Sequence, residues 1–512
     1  MSARHPVVMI GLDAFDFDLV RRLADDGTLP TLRRLMSAGR VGPLAGTAAL
    51  FAGGVWPTFY TGRDVSWHGL YHNKLWRQER MRCEIADAEW FPEPPFWERL
   101  DRTGLRLAVL DVPMTVATPK AINGISLAGW GTHDVIARGA WPATLWDELV
   151  RDFGAPRMPA ELFGSQTPRT LERLAGDLVA ATSQMAEIGA ALLARERWDL
   201  FLLVFGAAHR GGHYLWDLSQ VDAGAIAPER RRSLEAALAG VYGAADRALG
   251  RVLEQAPADA RILVFAVHGM GRNTAWADHC ADILTRIQSG GAGSPPRGGL
   301  LYQIKRRLPW PLVRAVTTRL PASLQARLVT LWSGSMFDWR TTRAFPLPMD
   351  HAGYIRVNLR GREPEGIVEP GAEYAALCDE LAAGFESFRD IATDRPIVRR
   401  VHRLAEMAPE EAAGRSRLPD LVIEWDDVSP IDSPGIVSPR HGELRWSPAH
   451  RLPSGRAGNH RSHGWFLAAG PGIAPGTTAG EHHIRDLVPS ACRWLGVDLG
   501  DAFQGTPIDG LG

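Results

Sequence analysis

Asp199-Leu-Phe-Leu-Leu-Val-Phe-Gly-Ala-Ala-His-Arg-Gly-Gly-His213 is the stretch on which the reading of this chain turns. Its first half is a continuous apolar run of strand length, as expected of a strand covered on both faces of a parallel sheet. A glycine then turns the chain, and two histidines follow four residues apart. One helical turn would put both imidazoles on the same face. Arg261-Ile-Leu-Val-Phe-Ala-Val-His-Gly-Met-Gly271 repeats the plan, an apolar run followed by a histidine at its exit. Ligands of open parallel sheets bind at the carboxyl ends of the strands, and imidazole suits borderline ions such as zinc. A metal site at the top of an α/β sheet is one reading of these residues. Hydrogen-bonded or surface histidines are the plainer one.

Outward from these stretches the alternation continues. Val7-Val-Met-Ile-Gly-Leu12 is another covered strand, and it delivers Asp13 to its carboxyl end, where a carboxylate reaches a metal or caps the next helix. Helical patterns cover residues 17–24, 32–37, 170–195 and 229–255, and a further strand covers 106–110. Gly53-Gly54 precedes a short helical pattern whose free N–H groups suit an anion or simply make a turn. Asn73, in a polar and aromatic stretch after His68, and His133, in a strand-end loop, are candidate substrate contacts, as is His351. The fold class is α/β, a doubly wound, mostly parallel sheet, with an inserted smaller α+β and helical subdomain. Residues 1–284 and 431–512 form the core, and residues 285–430 the insertion. Within it, 288–340 opens on Ser289-Gly-Gly-Ala-Gly-Ser-Pro-Pro296 and carries Lys305, Arg306, Arg307, Arg314, Arg319 and Arg327 among apolar residues. It reads as a helical lid or an oligomer contact, or as a basic amphipathic segment on an anionic membrane. The segments 351–360, 373–386 and 421–425 give the α+β part.

A chain of 512 residues with 45% hydrophobic residues builds a large core, and a net charge of −1 argues against a generally basic nucleic-acid binder. Cys83, Cys280, Cys378 and Cys492 form no C-x-x-C pair, so a reducing compartment is expected. The first residues enter a strand almost at once, without a secretory pattern, and no apolar run approaches the roughly 18 residues of a membrane span. The expectation is a cytoplasmic protein of unspecified oligomeric state.

Five pieces together resemble one family. They are Ile10-Gly-Leu-Asp13, Trp56-Pro-Thr-Phe-Tyr-Thr-Gly62 with His68-Gly69, His209 and His213, His268-Gly-Met270, and Gly458-Asn-His460 with Gly470-Pro-Gly472. In order and spacing they are similar to the alkaline phosphatase superfamily, in particular its type I phosphodiesterase/nucleotide pyrophosphatase family. The resemblance implies two metal ions, usually zinc, at the strand ends. One would be held by Asp-x3-His and a later histidine, positions that here read His209, His213 and His460. The other would be held by the first-strand aspartate, Asp13, by a Thr or Ser nucleophile, and by an Asp-His pair whose histidine is His268.

Two departures stand out. The partner aspartate of that pair is Val267, and the nucleophile position is Ala52; Thr47 and Thr58 are hydroxyls out of register. The resemblance then implies a metal-dependent hydrolase of phosphodiester or nucleotide-like bonds, acting on a small phosphorylated molecule and not on a nucleic-acid polymer. It would work through a three-histidine zinc site with zinc-bound water, with a second ion an option. Asp13 and His268 would hold that second ion or assist catalysis, His268 as a general acid or base. A non-hydrolytic single-zinc enzyme, and an inactive member that binds a phosphorylated ligand or a partner, are the alternatives.

Overall fold

The apolar runs alternate between two cores. In the computed structural model Val8, Ile10 and Leu12 enter one hydrophobic cluster, and Val7 and Met9 the other. Phe201, Leu203 and Phe205 likewise oppose Leu200, Leu202 and Val204. That is the period-2 geometry of a strand with both faces covered. The residues described are 5–90, 93–115, 120–132, 136–162, 164–221, 226–289, 337–349, 351–446, 451–478 and 480–511.

The ten strands concerned form one sheet in the spatial order Gly476–Thr477, Arg40–Ala45, Gly464–Ala469, Arg261–Ala266, Val7–Leu12, Leu200–Phe205, Leu107–Leu110, Gly124–Ala128, Gly139–Trp141, with His482–His483 also beside Arg40–Ala45. Val7–Leu12 is central and parallel to both neighbours. Gly464–Ala469 runs antiparallel between Arg261–Ala266 and Arg40–Ala45, so those two strands share one direction. The helices Pro168–Arg195 and Ala237–Leu253 bury their apolar stripes in one cluster, and Val55–Thr61 and Leu487–Trp494 bury theirs in the other. The doubly wound, mostly parallel sheet is therefore present. The single helix expected over 229–255 is two, Pro228–Glu235 and Ala237–Leu253, with the Ala236 amide turned back onto the carbonyls of Arg232 and Leu234.

The chain divides into two units: Met1–Asn73, Asp87–Asn273 and Arg451–Gly512, and Lys74–Ala86 with Thr274–His450. The contact boundaries lie at 274 and 450, beside the 285 and 430 expected from the sequence pattern. The physical reason is burial. Ile283, Leu284 and Ile287 of the helix Cys280–Gln288 pack into the second unit's cluster with Leu377, Leu381 and Phe385. The hairpin Lys74–Arg77 with Arg82–Ile85 joins the same unit, its Trp76 ring beside Trp339 and Phe345 and its indole N–H donating to Glu363. This unit has a four-stranded antiparallel sheet, Ala344–Pro346, Gly353–Val357, Leu421–Trp425 and Val398–Arg403, and the helix Ala372–Glu386. The segment expected as a lid or oligomer contact falls almost wholly on 290–336, outside the described residues.

Candidate metal centre

Asp13 and His268 follow strands of the first unit, His209 and His213 lie on the helix after another, and His460 lies within the short strand Gly458–Arg461. The Asp13 amide extends the central pairing by donating to Phe205 O at 3.0 Å. Ala14 then takes a left-handed φ of 60° and turns the chain sharply. The turn is fixed by the Tyr242 hydroxyl, which donates to Ala14 O and accepts from the Asp16 amide. Asp16 caps the following helix through Leu19 N, so the capping role open to Asp13 in the sequence falls to Asp16. Burial pushes the Asp16 carboxyl above the usual carboxylate value.

The glycine after Leu200–Phe205 starts the helix Ala207–Leu215, which is buried along its whole length. His209 and His213 lie one turn apart on it, with ring centroids 4.9 Å apart. Arg210 points elsewhere, to Glu161 at 3.1 Å, and the Tyr214 hydroxyl donates to the same carboxylate. His460 reaches the pair through a ribbon that the sequence reading did not contain. Gly269–Arg272 and Gly458–Arg461 pair antiparallel, with Met270 opposite His460. Glycine permits the approach: a Cβ on Gly458 would stand 2.1 Å from the carbonyl oxygen of Gly212.

The rings are oriented by their far nitrogens. His209 Nδ1 lies 3.0 Å from Asp13 Oδ2, and a carboxylate there requires Nδ1 to carry the proton. His213 Nδ1 donates to Gly458 O at 3.0 Å. Both Nε2 atoms are then lone-pair acceptors, and they face each other at 3.1 Å. His460 completes this group, its ring 4.8 and 5.0 Å from those of His209 and His213. One ligand atom from each of the three lies within 4.8 Å of the others. The same holds for Asp13, His209 and His268.

Asp13 is fully buried and already well supplied with donors. Its Oδ1 accepts from the Trp56 indole N–H at 2.9 Å and lies 3.3 Å from His268 Nε2. His268 Nδ1 donates to Gly269 O at 3.0 Å, so both of its nitrogens are engaged. The Trp56 contact with Asp13 is not legible in the sequence: an aromatic among aromatics carries no signal of its N–H partner.

The departures are equally concrete. Val267 is fully buried in the apolar cluster with Phe265 and Phe59. Ala52 opens the short turn Ala52–Gly54 before the helix Val55–Thr61. Thr58 Oγ1 sits 3.1 Å from His68 Nε2, and His68 Nδ1 accepts from the Leu70 amide, so Nε2–H donates and His68 is no base for Thr58. Thr47 Oγ1 is buried without a hydrogen-bond partner among the described residues, just past Arg40–Ala45 on the sheet edge that carries Asp13 and His268. Of the candidate substrate contacts, Asn73 follows Tyr71 and His72, whose backbone abuts the Ala52–Gly54 turn at Gly53. His351 lies in the second unit, two residues before Gly353–Val357. His133 falls outside the described residues.

The family model for type I phosphodiesterase/nucleotide pyrophosphatase matches residues 7–431. A search of curated proteins gives no sequence match. Among solved structures, the chain resembles murine ectonucleotide pyrophosphatase/phosphodiesterase 5, an inactive threonine-to-alanine form in complex with AMP, at TM-score 0.50 and 13% identity, over 98% of this chain and 97% of that one. It also resembles phosphonoacetate hydrolase from Sinorhizobium meliloti in complex with phosphonoformate, at TM-score 0.51 and 14% identity, over 96% of each chain. At such identities the likeness is one of fold.

Proposed function

The chain belongs to the type I phosphodiesterase/nucleotide pyrophosphatase family, and from that premise we propose that it hydrolyses phosphoester bonds of small phosphorylated molecules, using one zinc ion held by His209, His213 and His460. The observation that carries this reading is the pair of facing Nε2 lone pairs at 3.1 Å. Two neutral imidazole acceptors this close repel unless a proton or a metal ion lies between them, and the third imidazole beside them makes a metal ion the fitting occupant. Three neutral imidazoles with an open fourth position suit zinc. A zinc ion there would polarise a phosphoryl oxygen and lower the pKa of a bound water.

A single ion is favoured by how the second group of ligands is spent. Asp13 already accepts from Trp56 and from His209 Nδ1–H. Ligation of another ion by His209 Nδ1 would require an imidazolate bridge. Val267 offers no donor atom. In this reading Asp13 orients His209, a carboxylate–histidine pairing that raises ligand basicity. Asn73 and His133 are proposed substrate contacts. The chain's cysteines are free, which is consistent with the cytoplasmic location proposed from the sequence. Among the described residues no helix is long and apolar enough to cross a membrane.

The test is metal content by mass spectrometry on protein purified without added metal, with turnover of bis(p-nitrophenyl) phosphate and p-nitrophenyl phosphate. One zinc per chain, lost with activity in His213→Ala and kept in His268→Ala and Thr47→Ala, is the expected result. Two zinc ions, one of them lost in His268→Ala, would replace this reading with two-metal hydrolysis. A phosphothreonine trapped on Thr47 would replace water with a protein nucleophile. A second reading, binding without cleavage, rests on Ala52, because a threonine-to-alanine form of the murine neighbour is inactive and carries AMP. Binding of AMP by zinc-loaded protein that turns over neither ester would favour it.

A further inference from the structure

We propose that Trp56 is a positioning residue of the zinc site: its indole N–H sets the rotation of the Asp13 carboxylate, which in turn fixes the tautomer and direction of His209. The inference rests on the three-histidine reading above. Its geometry is a relay of two bonds. Trp56 Nε1 donates to Asp13 Oδ1 at 2.9 Å, and Asp13 Oδ2 accepts from His209 Nδ1 at 3.0 Å, leaving His209 Nε2 turned toward His213 Nε2.

The relay can hold a direction because its first member cannot move. The indole is only 2% exposed. It meets Phe59 edge-on with centroids 5.7 Å apart and Phe265 at 6.0 Å. A Cβ on Gly11 would stand 2.9 Å from Trp56 Cη2, so the strand below leaves room for the ring only because residue 11 is glycine. A buried indole N–H has one use, as a donor. Here it takes one carboxylate oxygen and leaves the other for His209. Without it, Oδ1 loses a donor of fixed direction, and the carboxylate is free to rotate. His209 would then lose the acceptor that selects its Nδ1–H tautomer. Groups that orient a ligating histidine from outside the ligand set typically change metal affinity by 10–100-fold when removed.

The experiment measures zinc affinity by chelator competition on the full chain, for wild type, Trp56→Phe, Asp13→Asn, the double variant, and Trp97→Phe. Trp97 belongs to the same apolar cluster, and Trp97→Phe controls for lost packing. Melting of the metal-free proteins checks that each variant folds. The expected result is a loss of roughly tenfold or more in Trp56→Phe, none in Trp97→Phe, and a double variant no weaker than Asp13→Asn alone. Wild-type affinity in Trp56→Phe overturns the inference, as does an equal loss in Trp97→Phe. Losses that multiply in the double variant also overturn it, because Trp56 would then act by a route other than Asp13. Each of these leaves the three-histidine site standing. Wild-type protein that takes up no zinc, or zinc retained in His213→Ala, overturns that site and the role of Trp56 with it.

Discussion

Gly458→Ala should damage the metal centre without touching a ligand. A Cβ at position 458 would stand 2.1 Å from Gly212 O, 3.1 Å from Gly212 C and 2.9 Å from Trp216 Cβ. Two of these three atoms belong to helix backbone, which cannot swing aside as a side-chain tip can. A carbon–oxygen contact is comfortable at about 3.3 Å, so the ribbon must retreat by roughly 1 Å. Two of the proposed ligands feel that retreat. His460 lies two residues along the same strand, and the Gly458 carbonyl is the acceptor of His213 Nδ1. Overpacking of this kind costs about 1–3 kcal/mol, which a chain of this size should survive folded. A displacement of that size in a preorganised site, however, costs function out of proportion to stability. The expected outcome is a zinc affinity lower by roughly 10–100-fold, a melting midpoint lower by a few degrees, and an unchanged far-ultraviolet circular dichroism spectrum. Gly211→Ala is the internal control. Its Cβ would meet Leu238, Leu178 and Val241 at 3.4, 3.5 and 3.7 Å, ordinary contacts, and it gains up to about 1 kcal/mol of helix propensity. Wild-type zinc affinity in Gly458→Ala, or equal loss in both variants, would refute the claim that close approach of this ribbon builds the centre.

Further expectations concern pH, the second unit and the altered ligand position. Burial, and then the charge of Arg485, press the His483 imidazole down to about 4, and its neutral Nδ1 accepts from the Arg485 amide. The unfolded chain takes that proton near pH 6.5, so the stability His483 contributes is complete above 6.5 and lost progressively down to about 4. Urea midpoints across that window should fall less steeply in His483→Asn. In the second unit, burial would raise the Asp420 carboxyl, but Arg362, the charge of Arg356 and the Val357 amide hold it below the usual value. Its contribution is therefore present above the ordinary carboxylate pKa and lost in stronger acid. Arg362→Ala, which removes the ion-pair partner of that buried carboxylate and leaves it the Val357 amide and the Tyr374 hydroxyl, should cost up to about 3–5 kcal/mol in calorimetric unfolding of this unit. A carboxylate in Val267→Asp enters a fully buried apolar cluster. It should destabilise metal-free protein by roughly 2–4 kcal/mol and leave zinc at one per chain by mass spectrometry; a second zinc would contradict the account of Asp13 as already committed.

The central sheet was legible because its strands are buried on both faces, and continuous runs such as Val7–Leu12 and Leu200–Phe205 have few other uses. The paired histidines were legible because i, i+4 spacing after a strand admits one geometry. His460 was reached only through resemblance. Its strand is the four-residue Gly458–Arg461, too short and too polar to show a period, and its partner Gly269–Arg272 is mostly glycine and long side chains. Nothing local in either half announces the other. Trp56 failed for a different reason: its packing with Phe59 is visible as an aromatic pattern, whereas its hydrogen bond spans 43 residues to Asp13. The contact boundary near 274 is not legible in the sequence, because Ile283 and Ile287 are buried by Phe385 and its neighbours about a hundred residues later, and no composition shift marks a long-range contact.

Charge ties the departures together. The resemblance implies three carboxylates around two dications: one where His209 stands, one at Asp13, and one where Val267 stands. This chain keeps only the middle one. Replacing the first by an imidazole and the last by an isopropyl group removes two negative charges, and Ala52 removes the hydroxyl that would become an alkoxide. Simple decay of an enzyme would be expected to damage the ligand sets at random and leave buried charges unpaired, each at a cost of several kcal/mol. Here the remaining carboxylate has Trp56, His209 and His268 around it, and the imidazole introduced at 209 uses its second nitrogen to satisfy that carboxylate. Val267 lies flush with the core and strands no polar atom. One carboxylate beside one dication leaves a net positive centre, which attracts a phosphoryl anion as the two-ion arrangement does. On the proposed one-ion reading, the three departures from the family pattern are therefore compatible with one another.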